Sequence, residues 1–182
     1  MLISKTKYMG EHKDLLNKEA VSKLQELAEE IDMCMFTTAL QQLPLTSRPM
    51  STAKVDDEGN IWFLSCRSSH KNRQIEKDNR VQLFYAGKSS SEYLSVYGEA
   101  SILIDREKAK ELWSTIAKAW FTEGVDDPEL SIIKVKPLDA YYWDTKHNKL
   151  VALLKIGAAI VTGKSMDDGV EGEINVNGLQ HA

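Results

Sequence analysis

The spacing of hydrophobic residues divides the chain into one amphipathic helix followed by a series of short strands. Apolar residues recur at intervals of three and four at first, which predicts a helix over 18–31 with Asn17 as its N-cap. The period then changes, because short apolar and β-branched runs replace the helical spacing. These runs predict strands at 33–40, 48–55, 61–65, 81–85, 93–104, 130–135, 139–143 and 150–160.

Turn signals separate these strands. Residues 56–60 contain Gly59 and Asn60, which tolerate positive φ, and they predict a hairpin turn. A second turn is predicted at 146–149, and Gly98 marks a bulge or a close approach within its long strand. About eight short strands joined by turns favour an antiparallel barrel over a parallel sheet.

Two further helices are predicted between the strands. One begins at 68–69, where two serines offer a cap. The other covers 106–121, with Asp105 as its N-cap. Trp113 and Trp120 lie seven residues apart on one face of this helix, so both are expected in the core. The fold class is therefore mainly β with two to three helices.

The composition is that of one globular domain with an acidic balance. The 182 residues are 42% hydrophobic, and Asp+Glu number 27 against 23 Lys+Arg, for a net charge of −4. This balance argues against general nucleic-acid affinity and against a polybasic membrane anchor. A phosphate would therefore need a local cluster of cations.

Other classes of protein fit the sequence poorly. Apolar stretches are too short to span a bilayer, and the first 14 residues contain no apolar signal segment. Cys34 and Cys66 form no CxxC pair and no disulfide framework, which favours a cytoplasmic location. Both are expected to be small core residues. The four histidines are scattered without metal spacing, so no metal site is expected.

Two polar segments could hold an anion. Residues 68–71 read Ser-Ser-His-Lys at a predicted helix start, where free N–H groups attract anions; simple N-capping explains the same residues. Residues 47–52 place Arg48 before Pro49, so its guanidinium could reach a phosphate. A surface arginine beside an edge-strand proline is the alternative.

An aromatic segment at 141–143 is a third candidate. Alternation puts Tyr141 and Trp143 on one face of the predicted strand and Tyr142 on the other. One face could stack on a planar ring system. Ordinary cross-strand packing of aromatic side chains explains the pattern equally.

The ordered combination of motifs resembles a known superfamily. It consists of Arg-Pro-Met-Ser at 48–51, Trp-Phe-Leu-Ser at 62–65, Ser-His-Lys at 69–71 and Asn-Arg-Val-Gln-Leu at 79–83. This order is similar to the flavin-binding split-barrel superfamily of pyridoxamine 5′-phosphate oxidase, and within it to the general stress protein 26 branch. The resemblance covers about residues 15–164. Residues 1–14 are expected to be a polar lead-in, and 165–182, which are polar and contain three glycines, are expected to be a flexible tail.

The resemblance implies a fold, a cofactor and an assembly. The fold would be an antiparallel split β-barrel of Greek-key type, with FMN at the interface of a homodimer. Phosphate-binding residues carried over by position are Arg48, Ser69, His70 and Lys71. Residues expected along the ring or the ribityl chain are Met50, Ser51, Leu64 and Ser65. Tyr93 and Trp143 match less closely, the latter from the partner subunit.

Two departures from the superfamily pattern limit the implied function. Residues 144–149 contain His147 but lack the arginine of the Arg-x-His pair that true pyridoxamine-phosphate oxidases carry. His70 stands where the family often has arginine, so phosphate binding would be weaker or pH-dependent. The expected function is an FMN-dependent oxidoreductase of the general stress protein type. The alternatives are a non-catalytic flavin-binding stress or redox-sensing module, and a haem or deazaflavin binder.

Overall fold

The computed structural model describes residues 11–87, 92–145 and 169–176, and nearly half of them belong to the strands of one large sheet. The strands are β1 Glu11–His12, β2 Leu15–Leu16, β3 Met33–Thr38, β4 Thr46–Ser51, β5 Lys54–Val55, β6 Ile61–Cys66, β7 Arg80–Ala86, β8 Tyr93–Leu103, β9 Leu130–Thr145 and β10 Gly169–Asn175. The helices are α1 Asn17–Ile31, α2 His70–Lys77 and α3 Arg106–Leu112. Two 3₁₀ turns, Thr115–Ala119 and Gly124–Asp126, follow α3.

The strand order defines a split barrel. Neighbouring strands run β1-β10-β9-β8-β7-β3-β4, while β6 pairs with the first part of β9 and β5 pairs with β6. All pairings are antiparallel except those of β1 and β2 with β10. The sheet is curved around a core but is not closed into a full barrel. The predicted fold class, a mainly β split barrel with flanking helices, is confirmed.

Helix α1 packs across this sheet with the face that its spacing predicts. Its buried residues are Ala20, Leu24, Leu27 and Ala28, which join the main core. The helix begins at Asn17 itself, which has a positive φ of 53°. Leu16 occupies the N-cap position and supplies no side-chain bond, so Asn17 as the cap is wrong.

Strands β8 and β9 depart from the predicted bounds. β9 is one strand of 16 residues, where two separate strands are predicted. Pro137 lies inside it because the register shifts between Tyr97 and Gly98, and Gly98 pairs with Pro137. A Cβ on Gly98 would stand 2.4 Å from the Lys136 carbonyl oxygen, so this close approach needs glycine. The predicted strand at 150–160 and turn at 146–149 lie outside the described residues.

The predicted helix over 106–121 is shorter than expected. Asp105 caps α3 as predicted, accepting from the Lys108 N–H at 2.9 Å. The helix ends at Leu112 because Trp113 is extended and Ser114 starts a new turn, its hydroxyl accepting from Ala117. Trp113 packs on a second small core, but Trp120 is 79% exposed, so its predicted burial is wrong.

The C-terminal segment is not a tail over residues 169–175. Strand β10 pairs with the end of β9, and β1 and β2 pair with β10. Its Ile174 is 3% exposed in the main core. Gly172 lets the Lys13 carbonyl approach, since a Cβ there would lie 2.0 Å from that oxygen. The segment is polar because only one face of the strand is buried. The predicted flexible tail is therefore wrong for residues 169–175.

Candidate functional site

Two unpaired strand edges border the split in the barrel. Within the described residues, β4 pairs only with β3, and β6 beyond Trp62 pairs only with β9. Just beyond the end of β4, the Ala53 N–H donates to the Trp62 carbonyl at 2.8 Å, which joins the chain after β4 to β6. Eight of the ten predicted site residues lie on β4, on β6 or at the start of α2, the helix that follows β6 after a short loop.

The N-terminus of α2 presents free amide groups. Ser69 is the N-cap, as predicted, and its hydroxyl accepts from the Asn72 N–H at 3.4 Å. The N–H groups of His70 and Lys71 bond to no described residue, which leaves the positive end of the helix open. The His70 side chain is exposed. The sequence left N-capping and anion binding as alternatives for residues 68–71, and this geometry permits both at once.

Arg48 reaches from β4 toward α2. Its Nη1 donates to the Phe36 carbonyl at 3.1 Å and to the Thr38 hydroxyl at 2.7 Å. Its Nη2 donates to Gln74 Oε1 at 3.0 Å. All three acceptors are neutral, and no carboxylate of the described residues pairs with the guanidinium. Burial alone lowers the pKa of Arg48 from its usual value.

Lys71 lies half-buried beside Arg48 without an ionic partner among the described residues. Burial is the largest cause that lowers the pKa of Lys71, and the charge of Arg48 lowers it further, while Cys66 opposes the shift. Two like charges are therefore held close together and partly out of water. Such an arrangement is costly unless an anion occupies the space that they share.

The carboxylate of Glu129 lies at the loop before α2, where it accepts hydrogen bonds from that loop. It accepts from the Ser68 N–H at 3.1 Å and from the Cys66 thiol at 3.1 Å. Hydrogen bonds from Ser68 and Cys66 lower the pKa of Glu129. This anion therefore fixes the loop and forms no ion pair with Lys71 in the structure.

Four predicted site residues border the split with their backbones, while their side chains are engaged elsewhere. Met50 is in the main core, and Leu64 packs on the small core beside α3. The Ser51 hydroxyl donates to Asp32. Ser65 is 2% exposed, and its hydroxyl donates to Asn72 Oδ1 at 2.7 Å. Contact of these residues with a ligand remains a prediction that their strand edges permit.

Tyr93 and Trp143 lie on a different surface. Tyr93 pairs with Trp143 across β8 and β9, and both are exposed on the outer face of the sheet. Three strands of the sheet order separate β9 from β4, and Arg48 is on the opposite, inner face beside Phe36. The structure therefore does not bring these two aromatic residues together with Arg48 and Lys71 in one subunit.

Sequence analysis missed two residues of the site, Thr38 and Gln74. Thr38 is fully buried and donates to Gln74 Oε1 at 2.6 Å. Gln74 follows Lys71 by three residues, and this spacing places both on one side of a helix. That spacing was the available signal for Gln74, whereas Thr38 depends on a tertiary contact.

Comparison with known proteins shows the family to which the chain belongs. A family model described as pyridoxamine 5'-phosphate oxidase like matches residues 19–167. The chain belongs to that family. The group that it resembles within the family is general stress protein 26, as predicted. The Bacillus subtilis general stress protein 26 is 29% identical over 82 residues, which are 43% of this chain and 58% of that protein.

Two further proteins extend the comparison. Protein bli-3 of Neurospora crassa is 26% identical over 129 residues, 66% of this chain and 62% of its own length. The chain thus spans about three fifths of the curated relatives that it matches. The crystal structure of a general stress FMN/FAD binding protein from Xanthomonas citri has a TM-score of 0.62 at 21% identity, over 72% of this chain and 93% of that chain. This likeness confirms the fold.

In the part of the chain that the structure describes, no helix combines the length and the apolar character needed to cross a membrane.

Proposed function

We propose that this protein binds FMN in the split between β4 and β6, with the phosphate held by Arg48, Lys71 and the first amides of α2. The observation that carries the proposal is the half-buried ammonium of Lys71, which has no ionic partner among the described residues. Charge-assisted hydrogen bonds to a phosphate would offset the cost of holding two cations together. Ser69 and His70 border the same position.

The remaining parts of the site fit a flat, hydrogen-bonding ligand. The free edges of β4 and β6 offer backbone donors and acceptors along the gap, beside Met50, Ser51, Leu64 and Ser65. A bound flavin supplies hydride or electron transfer, and the chain's own residues bind and orient it. The relative from Xanthomonas citri is an FMN/FAD binding protein of the same fold. These points support a flavin-dependent oxidoreductase of the general stress protein type.

We further propose that the protein is a homodimer. An outer-face patch, defined here as Met33, Met35, Phe84, Tyr93 and Trp143, exposes large apolar side chains on neighbouring strands. Met35 pairs with Phe84 and Tyr93 with Trp143, so the patch extends over the outer face of β3, β7, β8 and β9. A second copy would cover it and could bring Trp143 to the partner's flavin. The two free thiols, Cys34 and Cys66, fit a cytoplasmic location.

The test is the absorption spectrum of the purified protein, followed by release and identification of any chromophore. We expect the two visible bands of oxidised flavin and FMN on release. A haem or deazaflavin spectrum, or a protein that binds no added FMN on titration, would contradict the proposal. Reduction of the bound flavin by nicotinamide donors and its reoxidation by a quinone would identify an oxidoreductase. Inertness to every donor would instead identify a flavin-binding module.

A further inference from the structure

The hydrogen bonds of Arg48 differ from those of a paired arginine elsewhere in the chain. Arg80 donates from Nε and Nη2 to the two carboxylate oxygens of Asp78, each at 2.8 Å. Those bonds raise the pKa of Arg80, whereas burial lowers the pKa of Arg48. Arg48 thus makes three hydrogen bonds, all to neutral acceptors, whereas the two side-chain bonds of Arg80 to Asp78 are to a charged one.

Gln74 is central to that difference. Its Oε1 accepts from Arg48 Nη2 at 3.0 Å and from the Thr38 hydroxyl at 2.6 Å. Thr38 in turn accepts from Arg48 Nη1 at 2.7 Å. The three side chains form a closed ring of hydrogen bonds, so the guanidinium cannot turn without breaking at least one. The positive charge of Arg48 is nevertheless not neutralised.

We propose that Gln74 and Thr38, together called the neutral clamp, are positioning residues that orient Arg48 and preserve its charge for the ligand's phosphate. A glutamate at position 74 could make the same hydrogen bonds, but it would pair with the guanidinium and compete with phosphate. The amide gives orientation without that competition. This inference rests on the proposed function.

Helix α2 connects the clamp to the second cation. Gln74 and Lys71 are one helical turn apart, so α2 carries Lys71 and also holds Arg48 in place. The buried Asn72 fixes the same helix to β6 and β9, because its Oδ1 accepts from the Ser65 hydroxyl and its Nδ2 donates to the Ser131 hydroxyl. The relative position of the two cations is therefore set by one rigid element.

The test compares Gln74→Glu and Gln74→Met with the wild type in binding FMN and riboflavin, which lacks the phosphate. We expect Gln74→Glu to weaken FMN binding by roughly 10- to 100-fold, the range of one charge-assisted contact, and to leave riboflavin affinity unchanged. Gln74→Met removes the orientation but adds no charge, so a smaller loss for FMN alone is expected. The matched control is Gln82→Glu, another half-buried amide, which bonds Ser95 at 3.0 Å.

The outcomes separate the clamp from the site that it serves. If the wild type binds riboflavin as tightly as FMN, the proposed phosphate site is wrong, and so is the proposed role of the neutral clamp. If the wild type prefers FMN and Gln74→Glu keeps the full preference, the clamp alone is overturned. Equal weakening of both flavins, with a lower Tm, would show a merely structural role and would also overturn it.

Discussion

The guanidinium of Arg48 and the ammonium of Lys71 lie close enough that the charge of Arg48 adds to burial in lowering the pKa of Lys71. One residue comes from an edge strand and the other from the start of a helix. The described residues supply no carboxylate that pairs with either. An anionic ligand is the simplest way to satisfy this pair of cations, and the following predictions depend on that relationship.

Replacing both cations should abolish the preference for a phosphorylated flavin. For Arg48→Ala with Lys71→Ala, we expect a loss of about 1.5–3 kcal/mol of FMN binding free energy for each contact, because each removes a charge-assisted bond to phosphate. Riboflavin affinity should change little. Fluorescence titration of both flavins measures the difference.

The matched control is Arg73→Ala with Lys77→Ala, which removes the same charge from exposed positions of α2. Wild-type FMN affinity in the Arg48 and Lys71 double variant would show that the phosphate is bound elsewhere. A similar loss in the control would show that only the net charge of the helix matters.

Binding of FMN should take up a proton at alkaline pH. The pKa of Lys71 is lowered from 10.5 in the folded protein, by burial first and by Arg48 next, so the ammonium loses its proton early as pH rises. A phosphate beside it would favour the charged form and restore the proton. FMN affinity should therefore fall as pH rises through the lowered pKa, while riboflavin affinity serves as the reference.

The lowered pKa of Lys71 also determines how the free energy of unfolding changes with pH. Between the lowered pKa and 10.5 the unfolded chain holds more protons at Lys71, so this residue makes the free energy of unfolding rise with pH there.

Calorimetry in buffers of different ionisation enthalpy measures the proton uptake on FMN binding. Lys71→Met should eliminate it, and an unchanged uptake in that variant would assign the proton to another group.

A charge placed in the outer-face patch should give a monomer. Phe84 is 50% exposed and pairs with Met35, so Phe84→Glu would put a carboxylate at the centre of the proposed dimer contact. Light scattering should report half the wild-type mass. Ile116→Glu, at a 70% exposed position beyond α3, is the control and should remain dimeric. A wild-type monomer that holds FMN stoichiometrically would contradict the dimer itself.

Gly98 should not tolerate a side chain. The Cβ of Gly98→Ala would stand 2.4 Å from the Lys136 carbonyl oxygen, which is backbone and cannot move away alone. We expect the free energy of unfolding to fall by about 1–3 kcal/mol, as for other overpacked sites. Glu99→Ala, at the next and exposed position of β8, should change it by less than about 0.5 kcal/mol. Equal midpoints in a denaturant titration would contradict the close approach.

Local patterns were enough to predict several elements of the fold, including the helix that carries Lys71. The helical spacing predicted α1, the serine pair predicted the start of α2, and Gly98 predicted the bulge. Arg48 and Lys71 were also identified from the sequence, although they are 23 positions apart. Their proximity could not be deduced from spacing, because it depends on how β4 and α2 meet in the folded chain.

The errors arose where tertiary packing overrides a local pattern. The seven-residue spacing of Trp113 and Trp120 suggested that both lie on one face of a single helix. Ser114 instead starts a new turn, and Trp120 is exposed. Two strands, 130–135 and 139–143, were predicted, yet the bulge at Gly98 accommodates Pro137 within the single strand β9. The glycines and charges near the C-terminus suggested a flexible tail, since a strand with few apolar residues has a weak sequence signal.

Strand β10 should contribute to the stability of the whole barrel. Ile174 is 3% exposed and packs in the main core, so Ile174→Ala should lower the free energy of unfolding by about 2–5 kcal/mol. Glu173→Ala, on the exposed face of the same strand, should change it by less than about 0.5 kcal/mol. A denaturant titration compares the two. If Ile174→Ala unfolds at the wild-type midpoint, residues 169–175 behave as the tail that the sequence suggested, and their place in the sheet is wrong.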